Sequence, residues 1–349
     1  MPSSADVVSQ SGPLSLPESL TASSALSFLS ALRKRPERSP TLVLQAGEYL
    51  LESGYLSSSR KLGDDLWPVL EQLGSAAVDC GRWDLAEICI ERLGARFEGS
   101  ARVGVLQGML LEGKGEFGKA LSLYDELLKK DETNLLVLKR RIGLLSSLPR
   151  TDPRGGPEKA IKALLEFIDT VYADTEAWQQ LAALYAAEDM LPESLYALEE
   201  LLVLSPQNAF FVLQYAETLY SAGTPAYTAR AWREYLRVIE MFPQEAGSKS
   251  AESESNRRAG PWVRALWGLK LCATYFTNNS TTSTVTRRKG QDEAEIDESV
   301  APPAKSEVEA IDALVTDLLL NKAYAAQAAS GHAPPQHVKD AVRKVLAAR

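Results

Sequence analysis

Five small residues recur through the middle of this chain at a nearly constant spacing. They are Ala86, Ala120, Ala160, Ser194 and Ala231, and successive members lie 34, 40, 34 and 37 residues apart. Apolar residues follow each of them four and seven positions later, which is the spacing of one buried stripe on a helix. A fixed period of this length is typical of chains built from repeated supersecondary units. The feature therefore predicts a stack of similar helical units.

The stretch from Asp174 to Pro206 shows what one unit contains. It divides into two helical segments, each with apolar and small residues on one face: Trp178, Leu181, Ala182 and Tyr185 on the first, Ser194, Leu198 and Leu201 on the second. That arrangement is typical of a tetratricopeptide-type helix pair. Small residues also stand twelve positions before three of the recurring ones, at Gly74, Gly108 and Ala182. Because a mid-helix glycine costs about 1 kcal/mol relative to alanine, its recurrence indicates close helix contact.

These patterns predict an all-α protein, a tetratricopeptide-type helical-hairpin solenoid with N- and C-terminal capping helices. Tracts that are too polar to offset the entropy of ordering are predicted to be disordered or mobile. The predicted organisation is disorder in 1–13, N-terminal capping helices in 14–66, five repeats in 67–243, a mobile loop in 244–260, a helix extending the solenoid in 261–277, a disordered insertion in 278–305 and C-terminal helices in 306–349.

The C-terminal helices have their own sequence signals. Ser306 and Glu309 have the spacing of a capping box, with Ser306 as the N-cap of the first helix. Two apolar stripes are predicted to be buried, one formed by Ile311, Leu314, Val315, Leu318 and Leu319 and one by Val338, Val342, Val345 and Leu346. Covering the end of the stack is the simplest role for these helices, and contact with a partner or a membrane surface is the alternative.

Composition excludes several functions. The chain has 38 Lys and Arg against 46 Asp and Glu, a net charge of −8, which disfavours binding to nucleic acid. No apolar run reaches the roughly 18–20 residues of a spanning helix, so we expect no direct membrane span. Three cysteines (Cys80, Cys89 and Cys272) and two histidines do not form a disulfide framework or a zinc ligand set. We expect no metal and no cofactor.

The sequence also lacks the motifs that are typical of enzymes. The sequence has neither a phosphate-binding loop nor a dinucleotide fingerprint, and both histidines lie late in an Ala- and Pro-rich segment. Carboxylates are numerous but scattered over the polar helix faces. We therefore predict that the protein is not an enzyme and has no catalytic residues.

A solenoid of this type offers a groove lined by the first helix of each repeat. Small residues there leave room for a partner's backbone, and aromatic residues give apolar anchors. The predicted partner-binding residues are Met109, Lys139, Gln179, Ala183, Ala186, Phe210, Leu213, Glu217 and Tyr220. They suit an apolar or helical segment of another protein, and contact with the chain's own C-terminal helix is the alternative.

Two other interpretations concern the third repeat. A groove that grips a free carboxylate terminus needs Lys and Asn at two places of one repeat, and Gly143 stands where that Asn would be, so the co-chaperone type of clamp is not supported. The run from Lys139 to Arg141 is the densest basic cluster on a repeat helix. It is either a solvated edge or a docking point for an acidic partner.

Several runs also resemble a known family, the second subunit of the endoplasmic reticulum membrane protein complex (EMC). The similarity covers roughly residues 60–277 and includes turns and linkers as well as helices. The runs are AVDCGRWDLAEICIERL (77–93), GEFGKALSLYDELLKKDETN (115–134), EAWQQLAALY (176–185), LEELLVLSPQNAFFVLQYAETLYSAG (198–223) and RALWGL (264–269). The tracts 246–260 and 278–305 do not follow the family pattern and look like lineage-specific insertions.

The resemblance implies a non-catalytic scaffold subunit at the cytoplasmic face of the endoplasmic reticulum membrane, held there through its partners. Those partners would be membrane-embedded and soluble subunits of the same complex, and the complex would insert tail-anchored and multi-spanning membrane proteins. Two alternatives remain open: a free tetratricopeptide adaptor that binds peptide tails, and an auxiliary subunit of a soluble enzyme.

Overall fold

The structure, a computed structural model, describes residues 16–17, 20–35, 38–56, 62–241, 261–279, 302–324 and 336–347. In these parts of the chain it contains fifteen α-helices and no β-strand, which confirms the predicted all-α class. The helices are α1 (Ala22–Arg33), α2 (Pro40–Glu52), α3 (Leu66–Asp79), α4 (Trp83–Arg96), α5 (Ala101–Gly113), α6 (Phe117–Lys130), α7 (Leu135–Ser147), α8 (Pro157–Thr170), α9 (Thr175–Ala187), α10 (Leu191–Leu204), α11 (Ala209–Ser221), α12 (Pro225–Glu240), α13 (Pro261–Asn279), α14 (Lys305–Leu318) and α15 (Gln336–Ala347). A 3₁₀ turn, Gly63–Asp65, precedes α3, and a π-helical turn, Leu319–Ala323, follows α14.

The chain forms two compact units, residues 1–163 and 164–349, and the division falls inside α8. In the first unit the consecutive helices from α1 to α7 pack on one another, and in the second unit those from α9 to α12 do so. Connections of three or four residues join α3 through α7 and α9 through α12, so neighbouring helices are antiparallel. Each unit is a stack of helical hairpins. The grouping of α3–α12 into five repeats remains our interpretation of this order.

A residue in the left-handed conformation lies in the turn inside four of these hairpins. It stands two places before α4, α6, α10 and α12, as Gly81, Gly115, Asp189 and Gly223, with φ of 71°, 79°, 58° and 71°. Glycine adopts this conformation without strain, and Asp is among the few side chains that tolerate it. After Gly115 and Asp189, the next residue donates its N–H to the carbonyl five residues earlier, at 2.9 Å both for Glu116 to Leu111 and for Met190 to Tyr185. These hairpins therefore share the same kind of turn.

The residues that set the period lie in the core. Ala86, Ala120, Ala160 and Ala231 are 0% exposed and Ser194 is 1% exposed, which confirms their predicted burial. The predicted close contacts are present too: a Cβ on Gly108 would lie 2.3 Å from the Tyr124 ring, and one on Gly74 would lie 3.2 Å from Cys89 Cβ. In the second unit, Ser194 Oγ donates a hydrogen bond to the Ala182 carbonyl at 2.9 Å.

The first C-terminal helix, α14, docks on α13, and α15 contacts the π-helical turn after α14. Helix α13 packs against α11 and α12, and α14 packs against α13 in turn. The contact includes a buried cation: Lys270 of α13 is 6% exposed, and its Nζ donates to both carboxylate oxygens of Asp312 in α14 at 2.7 Å. Because a buried ammonium is costly unless paired, this ion pair fixes where α14 sits.

The predicted N-cap of α14 is wrong. The helix begins at Lys305 with Ala304 as N-cap, and no side chain caps it. The extended backbone of Ala304 leads directly into the first turn, so Ser306 already has helical geometry and cannot adopt the non-helical conformation that an N-cap needs. The burial predicted for two residues of the apolar stripes is also wrong, since Leu314 is 56% and Val345 50% exposed. Val315 and Val342 are buried as predicted.

The segments predicted to lack structure fall largely outside the described residues, namely all of 1–13 and 244–260 and the part 280–301 of the insertion. The two ends of that insertion are helical instead, because α13 continues to Asn279 and α14 begins at Lys305. Thr274 and Thr277 each donate a hydroxyl hydrogen bond to the carbonyl four residues earlier, at 2.8 Å. These polar side chains therefore lie within the helix and do not end it.

Candidate interaction surface

Two of the predicted groove residues lie on the first unit. Met109 of α5 and Lys139 of α7 are both half-buried, and α5 contacts α7, so they stand on neighbouring helices. Leu136, one turn before Lys139, is 49% exposed. This surface combines apolar and basic groups, and its role as a partner contact stays a prediction.

Glu112 lies at the centre of a hydrogen-bond network between α5, α6 and α7. Its side chain is only 13% exposed. Tyr124 Oη donates to Glu112 Oε1 at 2.5 Å, and Arg140 donates to the same oxygen at 3.0 Å and to the second oxygen through its other nitrogen. Burial and the hydrogen bond to the Glu112 carboxylate raise the pKa of the Tyr124 phenol well above its usual range. The carboxylate is fully engaged and has a structural role.

The basic cluster of α7 is largely neutralised by intramolecular pairs. Arg140 binds Glu112, and Arg141 Nε donates to Asp125 Oδ1 at 2.8 Å. Two of the three cations in the run from Lys139 to Arg141 are therefore committed to other helices of the same unit. The arginines of this cluster hold helices together, which favours a structural role over a docking point for an acidic partner.

The other predicted groove residues lie on the second unit, in α9 and α11. Gln179 and Ala183 are exposed, and Ala186 is half-buried, so α9 presents a small-residue surface as predicted from its sequence. On α11, Phe210 is 58% exposed and borders the turn at Pro206. These residues stay candidates for contact with a partner.

Leu213, Glu217 and Tyr220 do not form an open surface. Leu213 is 1% exposed, so its predicted role as an anchor for a partner is corrected, whereas Glu217 and Tyr220 are half-buried. Arg264 of α13 donates to both oxygens of Glu217 at 3.1 and 2.6 Å, and α13 packs on α11. On this face α11 is covered by α13, the helix predicted to extend the solenoid, and not by the C-terminal helices of the alternative interpretation.

A surface that sequence reasoning missed lies on α10 and the turn before α9. Tyr172 and Tyr196 are 51% and 59% exposed, and both rings pack edge-to-face on the buried Trp178, with centroids 5.6 and 6.4 Å away. Tyr172 Oη donates to Glu200 Oε2 at 2.5 Å. Val203, 73% exposed, follows one turn later on the same face of α10. We call Tyr172, Tyr196, Glu200 and Val203 the tyrosine surface.

Nothing in the described residues forms a reactive centre that we recognise. Burial raises the pKa of the Cys89 thiol to about 11 and that of Cys272 to about 12, so both are protonated near neutral pH. No group of three or more metal-ligating side chains occurs among these residues. In the same part of the chain, no helix combines the length and apolar content of a membrane span.

Comparison with known proteins places these features in a family. A family model described as the EMC2 TPR-like repeat domain matches residues 98–232. The ER membrane protein complex subunit 2-A of Xenopus laevis is 32% identical over 247 residues, which is 71% of this chain and 74% of that protein. The TPR repeat protein oca3 of Schizosaccharomyces pombe is 34% identical over 184 residues, 52% of this chain and 63% of that protein.

Among solved structures, the C-terminal part of a TPR repeat-containing protein from Cytophaga hutchinsonii aligns with a TM-score of 0.49 at 14% identity, covering 81% of this chain and 96% of that one. The family assignment depends on the sequence relatives, whose similarity extends over more than two thirds of this chain and of the Xenopus laevis protein. This chain belongs to the family of ER membrane protein complex subunit 2.

Proposed function

We propose that this chain is a non-catalytic scaffold subunit of an endoplasmic reticulum membrane protein complex, held at the cytoplasmic face of the membrane by its partners. In this role it supports the insertion of tail-anchored and multi-spanning membrane proteins. The observation that carries the proposal is the 32% identity to the Xenopus laevis subunit over 71% of the chain. The helical hairpin stack is consistent with it, because such stacks present extended surfaces to other proteins.

The chemistry of the buried polar groups supports a non-catalytic role. Glu112, the most enclosed carboxylate of the α5–α7 region, is bound by a phenol and a guanidinium and is not positioned as a general base. The buried thiols of Cys89 and Cys272 stay protonated and covered, so they lack the thiolate that a nucleophile needs.

The surface of α9 is the best candidate for a partner contact. Gln179 and Ala183 are exposed on consecutive turns, so a partner helix can approach the α9 backbone closely. Phe210 on α11 adds an exposed aromatic ring of the kind that anchors interfaces. These residues are proposed as contacts with other subunits.

Affinity purification from cells tests the proposal. The tagged full-length chain is purified from detergent-solubilised membranes, and the co-purifying proteins are quantified by mass spectrometry. We expect integral membrane proteins of the reticulum in stoichiometric amounts. Recovery of soluble chaperones alone would favour a free adaptor, and a soluble enzyme recovered without detergent would favour an auxiliary subunit.

A pair of variants maps the contact. Ala183→Arg places a long charged side chain on α9 and should reduce the recovery of membrane subunits several-fold. Ala95→Arg is the matched control, because Ala95 is an exposed alanine on α4. Equal recovery of membrane subunits with both variants would exclude the α9 surface as the contact. If the wild-type chain itself brings down no membrane subunit, the scaffold role is rejected.

A further inference from the structure

The charge of this chain is unevenly distributed. Between Lys162 and Arg230 the sequence contains no lysine, arginine or histidine, whereas it contains ten Asp and Glu residues. This interval includes all of α9, α10 and α11, so these helices carry only negative formal charge on their side chains. A surface built from them produces a negative potential that attracts cationic groups and repels anionic ones.

The tyrosine surface lies within this interval and is organised rather than loosely exposed. Trp178 is 5% exposed and packs against both tyrosine rings. Its Nε1 donates a hydrogen bond to the Tyr172 carbonyl at 2.8 Å. Glu200 accepts hydrogen bonds from the two phenols, which raises the pKa of Tyr172 and of Tyr196. Both rings are therefore held in place before any partner arrives, which lowers the entropy that binding must overcome.

These hydrogen bonds do not neutralise the charge of Glu200, because a phenol donates a hydrogen bond but carries no charge itself. The neighbouring Glu199 differs: Arg230 pairs with it at 3.1 Å, and Tyr215 donates to it at 2.6 Å. Two adjacent carboxylates on α10 thus have different roles. Glu199 joins helices, whereas Glu200 places a negative charge between two exposed aromatic rings.

We propose that the tyrosine surface binds a basic segment of a partner protein, with an arginine or lysine placed over the tyrosine rings beside Glu200. Aromatic faces attract cations, and a nearby carboxylate strengthens that attraction. Val203 adds an exposed aliphatic contact, so the segment also carries an apolar residue about two helical turns from its cation. The inference goes beyond the scaffold role and does not depend on it.

Charge complementarity favours a basic segment over the other possible occupants of the tyrosine surface. An acidic peptide would be repelled by the field of α9–α11 and by Glu200. A purely apolar helix would bury the Glu200 carboxylate without a counter-charge, which is costly. A segment that combines Arg or Lys with Leu or Val satisfies both the carboxylate and the apolar side chains.

Peptide binding to the full-length chain tests the proposal. The probe is a synthetic helical peptide with arginines at positions i and i+4 and leucines at i+3 and i+7, and its partner peptide has glutamate in place of each arginine. Calorimetry should detect binding of the arginine peptide alone, and binding should weaken as salt rises from about 50 to about 300 mM. Equal affinity for both peptides would overturn the proposal.

Two glutamate variants localise the effect. Glu200→Gln removes the charge but keeps an acceptor oxygen for the tyrosines, and it should weaken binding of the arginine peptide about five-fold. Glu126→Gln is the matched control, because Glu126 is exposed and holds the same place in α6 that Glu200 holds in α10. It should leave the affinity unchanged.

A third variant tests the aromatic contribution. Tyr196→Ser removes an exposed ring without opening the core and should also weaken binding several-fold. If Glu200→Gln and Glu126→Gln lower the affinity equally, attraction is a general property of an acidic protein and the proposed site is wrong. The same conclusion follows if Tyr196→Ser has no effect. Circular dichroism melting confirms that each variant remains folded.

Discussion

In the first unit Tyr124 packs into the space left by Gly108 on the neighbouring helix, whereas in the second unit α14 is held to α13 by the ion pair between Lys270 and Asp312. Both contacts are buried and both fix how helices meet. The first depends on shape between helices joined by a three-residue turn, and the second on charge between residues 42 positions apart. The comparison separates contacts that a local repeat pattern specifies from a contact that only the folded chain brings together.

The largest expected effect comes from breaking the ion pair. Asp312→Ala leaves Lys270 without its carboxylate, and the Lys270 side chain is only 8% exposed. We expect the free energy of unfolding of the second unit to fall by about 2–3 kcal/mol, at or below the low end for buried pairs because Asp312 is partly solvated. Urea denaturation measures the loss, and hydrogen exchange of α14 locates it.

The double variant Lys270→Met/Asp312→Leu is the control for this result. Replacing both charges by apolar side chains removes the buried cation, so most of the lost stability should return. If Asp312→Ala is as stable as the wild-type protein, or if the double variant is less stable than Asp312→Ala, then the ion pair does not hold α14 in the way we describe.

Adding one methyl group tests the shape-based contact. Gly108→Ala puts a Cβ at 2.3 Å from Tyr124, whose ring is 0% exposed and tied to Glu112, so the ring cannot move aside cheaply. Overpacking should exceed the gain in helix propensity and lower the free energy of unfolding by about 1–2 kcal/mol. Gly143→Ala, with nothing within 4 Å of its Cβ, should instead raise it by up to about 1 kcal/mol. A stabilised Gly108→Ala protein would contradict the close contact.

The same comparison explains what sequence could predict. Gly108 and Tyr124 belong to the repeat period, which is set by burial every 34 residues or so, and this regularity was sufficient to predict the helix pairs. Lys270 and Asp312 have no such period, and the partner of a buried lysine cannot be identified from helix pattern alone. The sequence analysis missed the burial of Leu213 for a related reason. It assumed that the groove positions of α11 face solvent, whereas α13 packs against α11.

The tyrosine surface escaped the sequence analysis for a different reason. Tyr172 lies in a turn, outside the helix positions that define a groove, and Tyr196 lies on the solvent side of α10. A signal was present, however, in the absence of basic residues between Lys162 and Arg230. Charge counted over the whole chain concealed it, since the acidic excess is concentrated in one stretch.

Ionisation of a buried thiol at alkaline pH should destabilise the two units by similar amounts, because each unit has one deeply buried thiol among its described residues. Burial raises the pKa of Cys89 to about 11 and of Cys272 to about 12, above the value of 9.0 for an exposed thiol. Above pH 9 the unfolded chain loses these protons first, so native stability, fully present below that pH, falls as pH rises. Between pH 9 and 10 we expect a loss of about 1 kcal/mol for each thiol.

Thiol variants measure that contribution through the slope of stability against pH. Cys89→Ala and Cys272→Ala should each flatten the decline between pH 9 and 10, while changing the stability at neutral pH through packing alone. The tyrosines with raised pKa values also contribute to the decline as pH approaches 10, but they contribute equally in the wild-type protein and in both variants, so the difference in slope reports the thiol. A slope that is unchanged in both variants would show that ionisation of these thiols is not linked to unfolding.

The smallest expected effect concerns the second ion pair of α13. Arg264 and Glu217 also join two helices through a bidentate contact, but their side chains are 59% and 35% exposed. Water screens both charges and the side chains lose entropy on pairing, so Glu217→Gln should change the free energy of unfolding by less than about 0.5 kcal/mol, and less still at high salt. A loss as large as that of Asp312→Ala would mean that burial does not set the strength of these pairs. A small loss would show that the two ion pairs of one helix differ because Lys270 is enclosed and Arg264 is not.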